Sequence, residues 1–177
     1  MHDGRMDLPR LENLAGAFAL STGRRLERAV EEATGLGPAE AAALVALRNF
    51  ADGGRQDLLR DALELSQPGV VRVVDRLVQR GLVERRRGAA TDRREVQVAM
   101  TGAGREAVAT ALDARAEVLD RALAPLADGD RRRLEALLER LLAASTTDRA
   151  SARSICRLCD GPACGHPDRC PVTQSVA

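Results

Sequence analysis

Apolar positions recur every three or four residues through most of the chain and every second residue in two short stretches. Leu11, Leu14, Phe18, Leu26 and Val30 share one stripe and predict a long helix over 10–34. Gly37 and Pro38 followed by Glu40 predict a second helix start. Gly is a tolerated cap, Pro suits the first helical position, and Glu suits the first turn. That helix runs to about Phe50, and the polar, glycine-rich 51–55 predicts a connector. Residues 56–63 predict a short third helix with Leu58, Leu59, Ala62 and Leu63 inward, and 64–66 a turn. Ser66 is placed to cap the next helix, with Pro68 in its first turn. In this fourth helix Val70, Val71, Val74, Leu77 and Val78 predict the core face, and Gln67, Gly69, Arg72, Val73 and Arg76 the opposite side. Gly81 stops it. Residues 82–87 and 95–100 alternate as strands do. Thr101 caps a fifth helix after a flexible 102–104, with Val108, Leu112, Leu119 and Leu123 apolar. Pro125 interrupts, and a sixth helix from about Asp128 to Ala143 carries Leu134, Leu137, Leu138, Leu141 and Leu142.

The fourth helix and the ribbon after it organise the rest. A helix followed by two strands joined by a loop with Gly88, Asp92, Arg93 and Arg94 is the makeup of a winged helix-turn-helix. The fold class is therefore mainly α with a small β-wing: four helices, the wing, then two more helices. The first, fifth and sixth helices carry more apolar surface than a small winged domain needs. Dimerisation through these terminal helices accounts for it; a larger monomeric bundle is the alternative.

Charge sharpens the picture locally rather than globally. The formal net charge is +1, and every basic residue except the two His is Arg. Between 66 and 94 eight Arg (72, 76, 80, 85, 86, 87, 93 and 94) stand against three acids, Asp75, Glu84 and Asp92. Arg pairs bidentately with phosphate and with guanine, and Gln with adenine, so this density points to double-stranded DNA. On the helix the candidate contacts are Ser66, Gln67, Gly69, Arg72 and Arg76, the short Ser and the Gly allowing close approach. On the wing they are Arg87, Asp92, Arg93 and Arg94, an Arg at the loop tip being suited to a narrow minor groove. The bland alternative is a solvated face of Arg paired with nearby acids.

Composition excludes other classes. Apolar residues make up 45% of the chain, but there are two Phe and no Tyr or Trp. The core must be built from Leu, Val and Ala, and base stacking on aromatic side chains, as single-strand and RNA readers use, has no platform. No run of 18 apolar residues exists, so no membrane span is expected, and the first ten residues lack the apolar stretch of a secretory signal. A cytoplasmic location is the expectation. No phosphate-binding loop, dinucleotide fingerprint, nucleophile elbow or zinc-protease motif occurs, so no enzyme is expected.

Residues 10–143 resemble the MarR family of bacterial transcriptional regulators. The resemblance is carried by LSQPGVVRVVDRLVQRGLVERR (65–86), TDRREVQVAMTGAGREA (91–107) and LDRALAPLADGDRRRLEALLERLL (119–142). It implies a homodimer with intertwined terminal helices and two winged domains on a near-palindromic operator, with repression as the usual outcome. The family's minor-groove Asp-x-Arg falls here on Asp92 and Arg94. The chain departs from the pattern in having Glu64 where a Gly is usual and Thr101-Gly102 where Thr-Pro is usual. Relatives that sense phenolic compounds line their pocket with aromatics, and Phe18 and Phe50 are all this chain offers toward a small-molecule effector. Thiol-sensing relatives keep a Cys in the domain body; here none precedes Cys156.

Residues 144–154 are small and polar and predict a linker, leaving 155–177 as a Cys-rich tail. Cys156-x2-Cys159-x4-Cys164-x5-Cys170 brings four thiolates into 15 residues, with Gly161, Gly165 and Pro167 to bend the chain. Such a set closes a tetrahedral Zn²⁺ site. The same residues serve an iron–sulfur cluster, or a metal-free dithiol switch helped by Arg157 and Arg169. His166 on its own reads as solvent-exposed. A thiol- or metal-dependent enzyme, or a protein-interaction module built on this tail, is the alternative function.

Overall fold

The computed structural model describes residues 8–56, 58–87 and 96–176. The elements run α1 (Leu8–Thr34), α2 (Pro38–Ala46), a π-helical turn (Leu47–Ala51), β1 (Gly54–Arg55), α3 (Leu58–Leu63), α4 (Gln67–Gln79), β2 (Val83–Arg87), β3 (Val96–Met100), α5 (Gly102–Leu123), α6 (Asp128–Ser145), α7 (Arg149–Ile155) and α8 (Pro171–Gln174). This is the mainly helical winged arrangement expected, with two further helices at the end.

The core centres on α2, whose small side chains let its neighbours approach closely. Ala41, Ala42, Ala43, Leu44, Val45, Ala46 and Leu47 are all buried. Pro38 opens the helix, and Glu40 folds back so that its carboxylate accepts the Gly37 N–H at 3.2 Å. Leu59 and Ala62 of α3, the inner face of α4, Val98 of β3, and Val108, Ala111 and Leu112 of α5 close around it. Together α2, α3, α4 and the sheet form a reading lobe. α1 packs along α5, α6 continues the chain from α5 and lies against α8, and these three helices outside the reading lobe are termed the arm.

The sheet is antiparallel in the order β1-β3-β2. The connector over 51–55 thus contains a strand. The Gly53 N–H donates to the Val98 carbonyl at 2.9 Å and the Met100 N–H to Asp52 Oδ1 at 2.8 Å. Val83 of β2 pairs with Met100 and Arg87 with Val96, so the ribbon keeps one register toward its tip. The second helix ends earlier than expected, its last turn widening into the π-helical turn that carries Asn49 and Phe50.

Three expectations are corrected. On α4 the buried residues are Val70, Val73, Val74 and Leu77, whereas Val71 is half-buried and Val78 is 37% exposed. Positions 70, 73, 74 and 77 are spaced i, i+3, i+4, i+7 and line one stripe, while 71 and 78 sit on its flank. Residues 102–104 are not flexible: they are the first turn of α5, with the Gly104 N–H donating to Thr101 Oγ1 at 3.1 Å. Residues 144–154 are not a free linker. α6 continues to Ser145, Asp148 caps α7 by accepting the Ser151 N–H at 2.8 Å, and α7 lies against α3.

Candidate nucleic-acid interface and cysteine cluster

α4 is held from three sides, which leaves one face outward. Its N-terminus is set by a turn in which Glu64 takes a left-handed backbone (φ 52). A residue with a side chain thus holds a conformation that favours Gly, at a strain of about 1 kcal/mol or more. Ser66 is the N-cap by backbone, accepting the Val70 N–H on its carbonyl at 3.0 Å, but its hydroxyl makes no capping bond. That corrects the expected side-chain cap and leaves Oγ turned to the surface. A carbon added at Gly69 would lie 3.3 Å from Leu65 Cβ and 3.5 Å from Ser66 Oγ. Gly69 therefore serves the tight packing of the turn. At the far end Gly81 (φ 69) and Leu82 close the helix, with Gly81 N–H donating to Val78 O and Leu82 N–H to Leu77 O, both at 2.9 Å.

Of the sequence-predicted helix contacts, Ser66, Gln67, Arg72 and Arg76 are exposed and Gly69 is half-buried. Their electrostatic states differ. Arg76 Nε lies 2.7 Å from Glu40 Oε1, and Arg80 reaches the same carboxylate at 3.6 Å while donating to the carbonyls of Gly35 and Thr34. On the ribbon Arg85 pairs with Asp75 at 2.6 Å and Arg86 with Glu84. Arg72 makes no ion pair or hydrogen bond among the described residues. The Arg85–Asp75 and Arg86–Glu84 pairs are exposed and worth at most about 1 kcal/mol, so phosphate can replace those carboxylates, whereas Glu40 is buried and holds Arg76 more firmly. Among the described residues the Arg cluster is therefore a partly neutralised face in which Arg72 stands without a partner. Gln79, two turns on from Arg72, is exposed on the same side of α4. The side chain of Arg87, and all of Asp92, Arg93 and Arg94, lie outside the described residues.

The tail returns to the reading lobe. Asn49 Nδ2 donates to the Cys159 carbonyl at 2.8 Å, Arg48 pairs with Asp160 at 3.6 Å, and Arg153 pairs with Asp61 of α3. Gly161 is buried against Asn49, where an added carbon would come 3.0 Å from Oδ1. Cys156, Cys159, Cys164 and Cys170 all line one pocket of about 160 Å³, together with Phe50. His166 lines it too, but is exposed, with Nδ1 2.8 Å from Thr173 Oγ1.

The thiols interact in two pairs. A hydrogen bond shared with Cys156 is the main cause holding Cys159 down to about 6; burial opposes it, and Arg115 and Arg157 assist. The same bond, with burial and the other thiols, pushes Cys156 up. Burial and then Cys170 raise Cys164 to about 11. At Cys170 burial opposes ionisation, but bonds from Thr173 and Val172 outweigh it and the thiol is lowered. As they stand, no three or more Cys, His, Asp or Glu side chains among the described residues are set to hold a metal ion.

No helix among the described residues is long and apolar enough to cross a membrane. No curated protein matches the chain. The MarR family model matches residues 34–95, which span the reading lobe and the start of the wing. Among solved structures, a "probable transcriptional regulator" from Pseudomonas aeruginosa is 30% identical, covers 74% of this chain and 98% of its own, and superposes with a TM-score of 0.56. A MarR-family transcriptional regulator from Rhodococcus sp. RHA1 is 25% identical over 74% of this chain and 95% of its own, with a TM-score of 0.56. A MarR-family protein from Bacillus stearothermophilus, 22% identical over 79% and 96%, shares the fold at a TM-score of 0.70. Family model, shared fold and an exposed α4 beside a β-ribbon agree: the chain belongs to the MarR family of winged helix-turn-helix transcriptional regulators, which act by binding DNA and are not enzymes.

Proposed function

We propose that the chain acts in the cytoplasm as a homodimeric repressor on a near-palindromic double-stranded operator. α4 enters the major groove with Ser66, Gln67 and Arg72 toward base edges, and the wing carries Arg93 and Arg94 to the adjacent minor groove, Asp92 orienting Arg94. The observation that carries this reading is the contrast across α4. One stripe is fully buried, and the other presents Arg72, without a partner among the described residues, between a Ser66 whose hydroxyl makes no capping bond and an exposed Gln79.

A second copy of the chain is the partner we assign to the arm. Leu8, Leu11, Leu14, Phe18 and Leu20 of α1 and Leu137, Leu138, Leu141 and Leu142 of α6 are 37–69% exposed, and α6 buries none of its residues within the subunit. Stripes of this length on two helices exceed what a monomer leaves in water. CouR from Rhodococcus jostii RHA1, 24% identical and alike in fold, is known bound to p-coumaroyl-CoA. By that likeness a small organic effector belongs to the reading.

Footprinting on genomic fragments, followed by anisotropy titration across salt, tests the proposal. A protected site with two-fold symmetry and an affinity that falls linearly in log–log salt, with a slope near −0.9 per phosphate contact, is expected. Arg94→Ala should weaken binding without unfolding the protein. Protection of no duplex, or binding indifferent to salt, would remove the operator reading. A monomer by light scattering would remove the dimer.

A further inference from the structure

The cavity of about 160 Å³ lies between the π-helical turn and the tail, away from the exposed face of α4. Phe50 lines it from the reading lobe, Ala152 from α7, Val172 from α8 and Val176 from the turn that follows, with the four cysteines between them. The lining is almost wholly apolar, as small-molecule sites are. Its polar side chains already have partners or face water. Asn49 Nδ2 donates to the Cys159 carbonyl, Arg153 pairs with Asp61, and His166 Nδ1 meets Thr173 Oγ1. Arg149 is exposed, so the charge it offers is screened by water. A charged group entering the cavity would lose its hydration and find no free partner inside.

We propose that this cavity binds one uncharged, single-ring aromatic molecule, and that the bound ring fastens the tail to the reading lobe. The volume sets the size of the guest: an apolar protein cavity of about 150 Å³ holds benzene, and two fused rings exceed such a space. The lining sets its chemistry. Phe50 offers a ring for offset or edge-to-face stacking, which an aliphatic guest cannot use. The thiols act as small, polarizable apolar groups, and sulfur makes favourable contacts with the edge of an aromatic ring. The placement sets the consequence. Phe50 belongs to the reading lobe, whereas the other walls belong to the tail, whose α7 lies along α3 and whose α8 lies against α6 of the arm. A ring held between lobe and tail must leave before the tail can lift, so its binding opposes that opening. The site rests on the cavity alone and goes beyond the operator reading, since none of the lining residues belongs to α4.

The test titrates toluene into full-length, reduced protein carrying labelled alanine and valine methyls and follows it by nuclear magnetic resonance. We expect saturable one-to-one binding, with nuclear Overhauser contacts from the ring to the methyls of Ala152 and Val172. Val176→Trp and Ala152→Leu, which fill the cavity, should each weaken toluene at least tenfold, and Gly102→Ala, on α5, should leave it within about twofold. Naphthalene, with a second ring, and benzoate, with a carboxylate, should each bind at least tenfold more weakly than toluene. With toluene at ten times its dissociation constant, amide exchange in α7 and α8 should slow about tenfold while α4 is unchanged. No saturable binding, contacts confined to the methyls of Val30 and Ala41 between α1 and α2, undiminished binding in both filled variants, or a metal ion held by the four cysteines in the same sample would each overturn the site. Naphthalene or benzoate bound as tightly as toluene would overturn the ligand class. Bound toluene with exchange in α7 and α8 unchanged would overturn the fastening. No readout involves DNA, so the outcome is separate from that of the operator reading.

Discussion

Gly104 is the position at which one methyl group should do the most damage. It lies in the first turn of α5, directly over the end of α4. A carbon built on it would stand 2.1 Å from the Leu82 carbonyl oxygen and 3.1 Å from its carbon. An ordinary C···O contact is about 3.3 Å, so α5 and residue 82 must part by roughly 1 Å. Both sides of the clash are backbone, and they are fastened to each other. The Thr101 N–H and hydroxyl each donate to Leu82 O at 3.1 Å, and the hydroxyl also reaches Gly81 O at 2.7 Å. Overpacking of this kind costs about 1–3 kcal/mol, and losing the Thr101 cap about 1 kcal/mol more. Alanine returns roughly 1 kcal/mol through its helix propensity. The net loss expected for Gly104→Ala is about 1–3 kcal/mol, or a fall in Tm of roughly 2–12 °C for a chain of this size. Thermal unfolding followed by circular dichroism at fixed protein concentration measures it. Gly102→Ala is the control, since a carbon there meets nothing within 4 Å. If both variants melt within a degree of the native protein, α5 does not rest on Leu82 and the packing of the wing against the arm is wrongly described.

Other perturbations separate binding from stability. Arg72→Ala should relax base preference at one operator position by about 1–3 kcal/mol, read by competition with substituted duplexes. Its Tm should be unchanged, because Arg72 has no partner among the described residues; a large melting shift would show that it does. Glu64→Gly should stabilise the protein by about 0.5–1 kcal/mol in urea titration, the relief of a left-handed side chain exceeding the entropy glycine adds to the unfolded chain. A loss there would mean the Glu64 side chain contributes more than its strain. In metal-free protein, iodoacetamide should modify Cys159 at a rate that rises with pH through about 6, and Cys164 only through about 11. One common midpoint near the ordinary thiol value of 9.0 for all four would refute the pairing.

The helices were legible because each buries a stripe, and stripes are written in the spacing of apolar residues. Legibility failed where that signal is degenerate. Five valines at 70, 71, 73, 74 and 78 fit more than one stripe, and only the position of α2 decides that Val73 faces inward and Val78 outward. A two-residue strand such as β1 has no period to detect. The partnership of Glu40 with Arg76 and Arg80 spans 36 and 40 residues of sequence and is invisible before folding. The tail was unreadable for a different reason. It docks through scattered contacts, Asn49 to the Cys159 carbonyl, Asp61 to Arg153 and Leu158 against the core, rather than through a periodic stripe, so its lack of periodicity looked like lack of structure. That Ser66, Gln67, Arg72 and Arg76 lie on the exposed side of α4 was recoverable from helix position. What residue type could not tell was which of the arginines had already found a carboxylate.

Those carboxylates carry a further consequence. A protein that reads one operator must abandon the rest of the genome quickly, and non-specific duplex offers it only phosphates. Glu40, Asp75 and Glu84 compete with those phosphates for Arg76, Arg85 and Arg86 at every encounter. On random sequence the exchange of one anion for another gains little, and the protein leaves. On the proposed operator, base contacts at Arg72 and its neighbours would add a gain the internal acids cannot match. On the proposed reading the acidic partners would act as a built-in rival ligand that shortens dwell time on the wrong DNA, so that selectivity is raised by weakening the background rather than by strengthening the match.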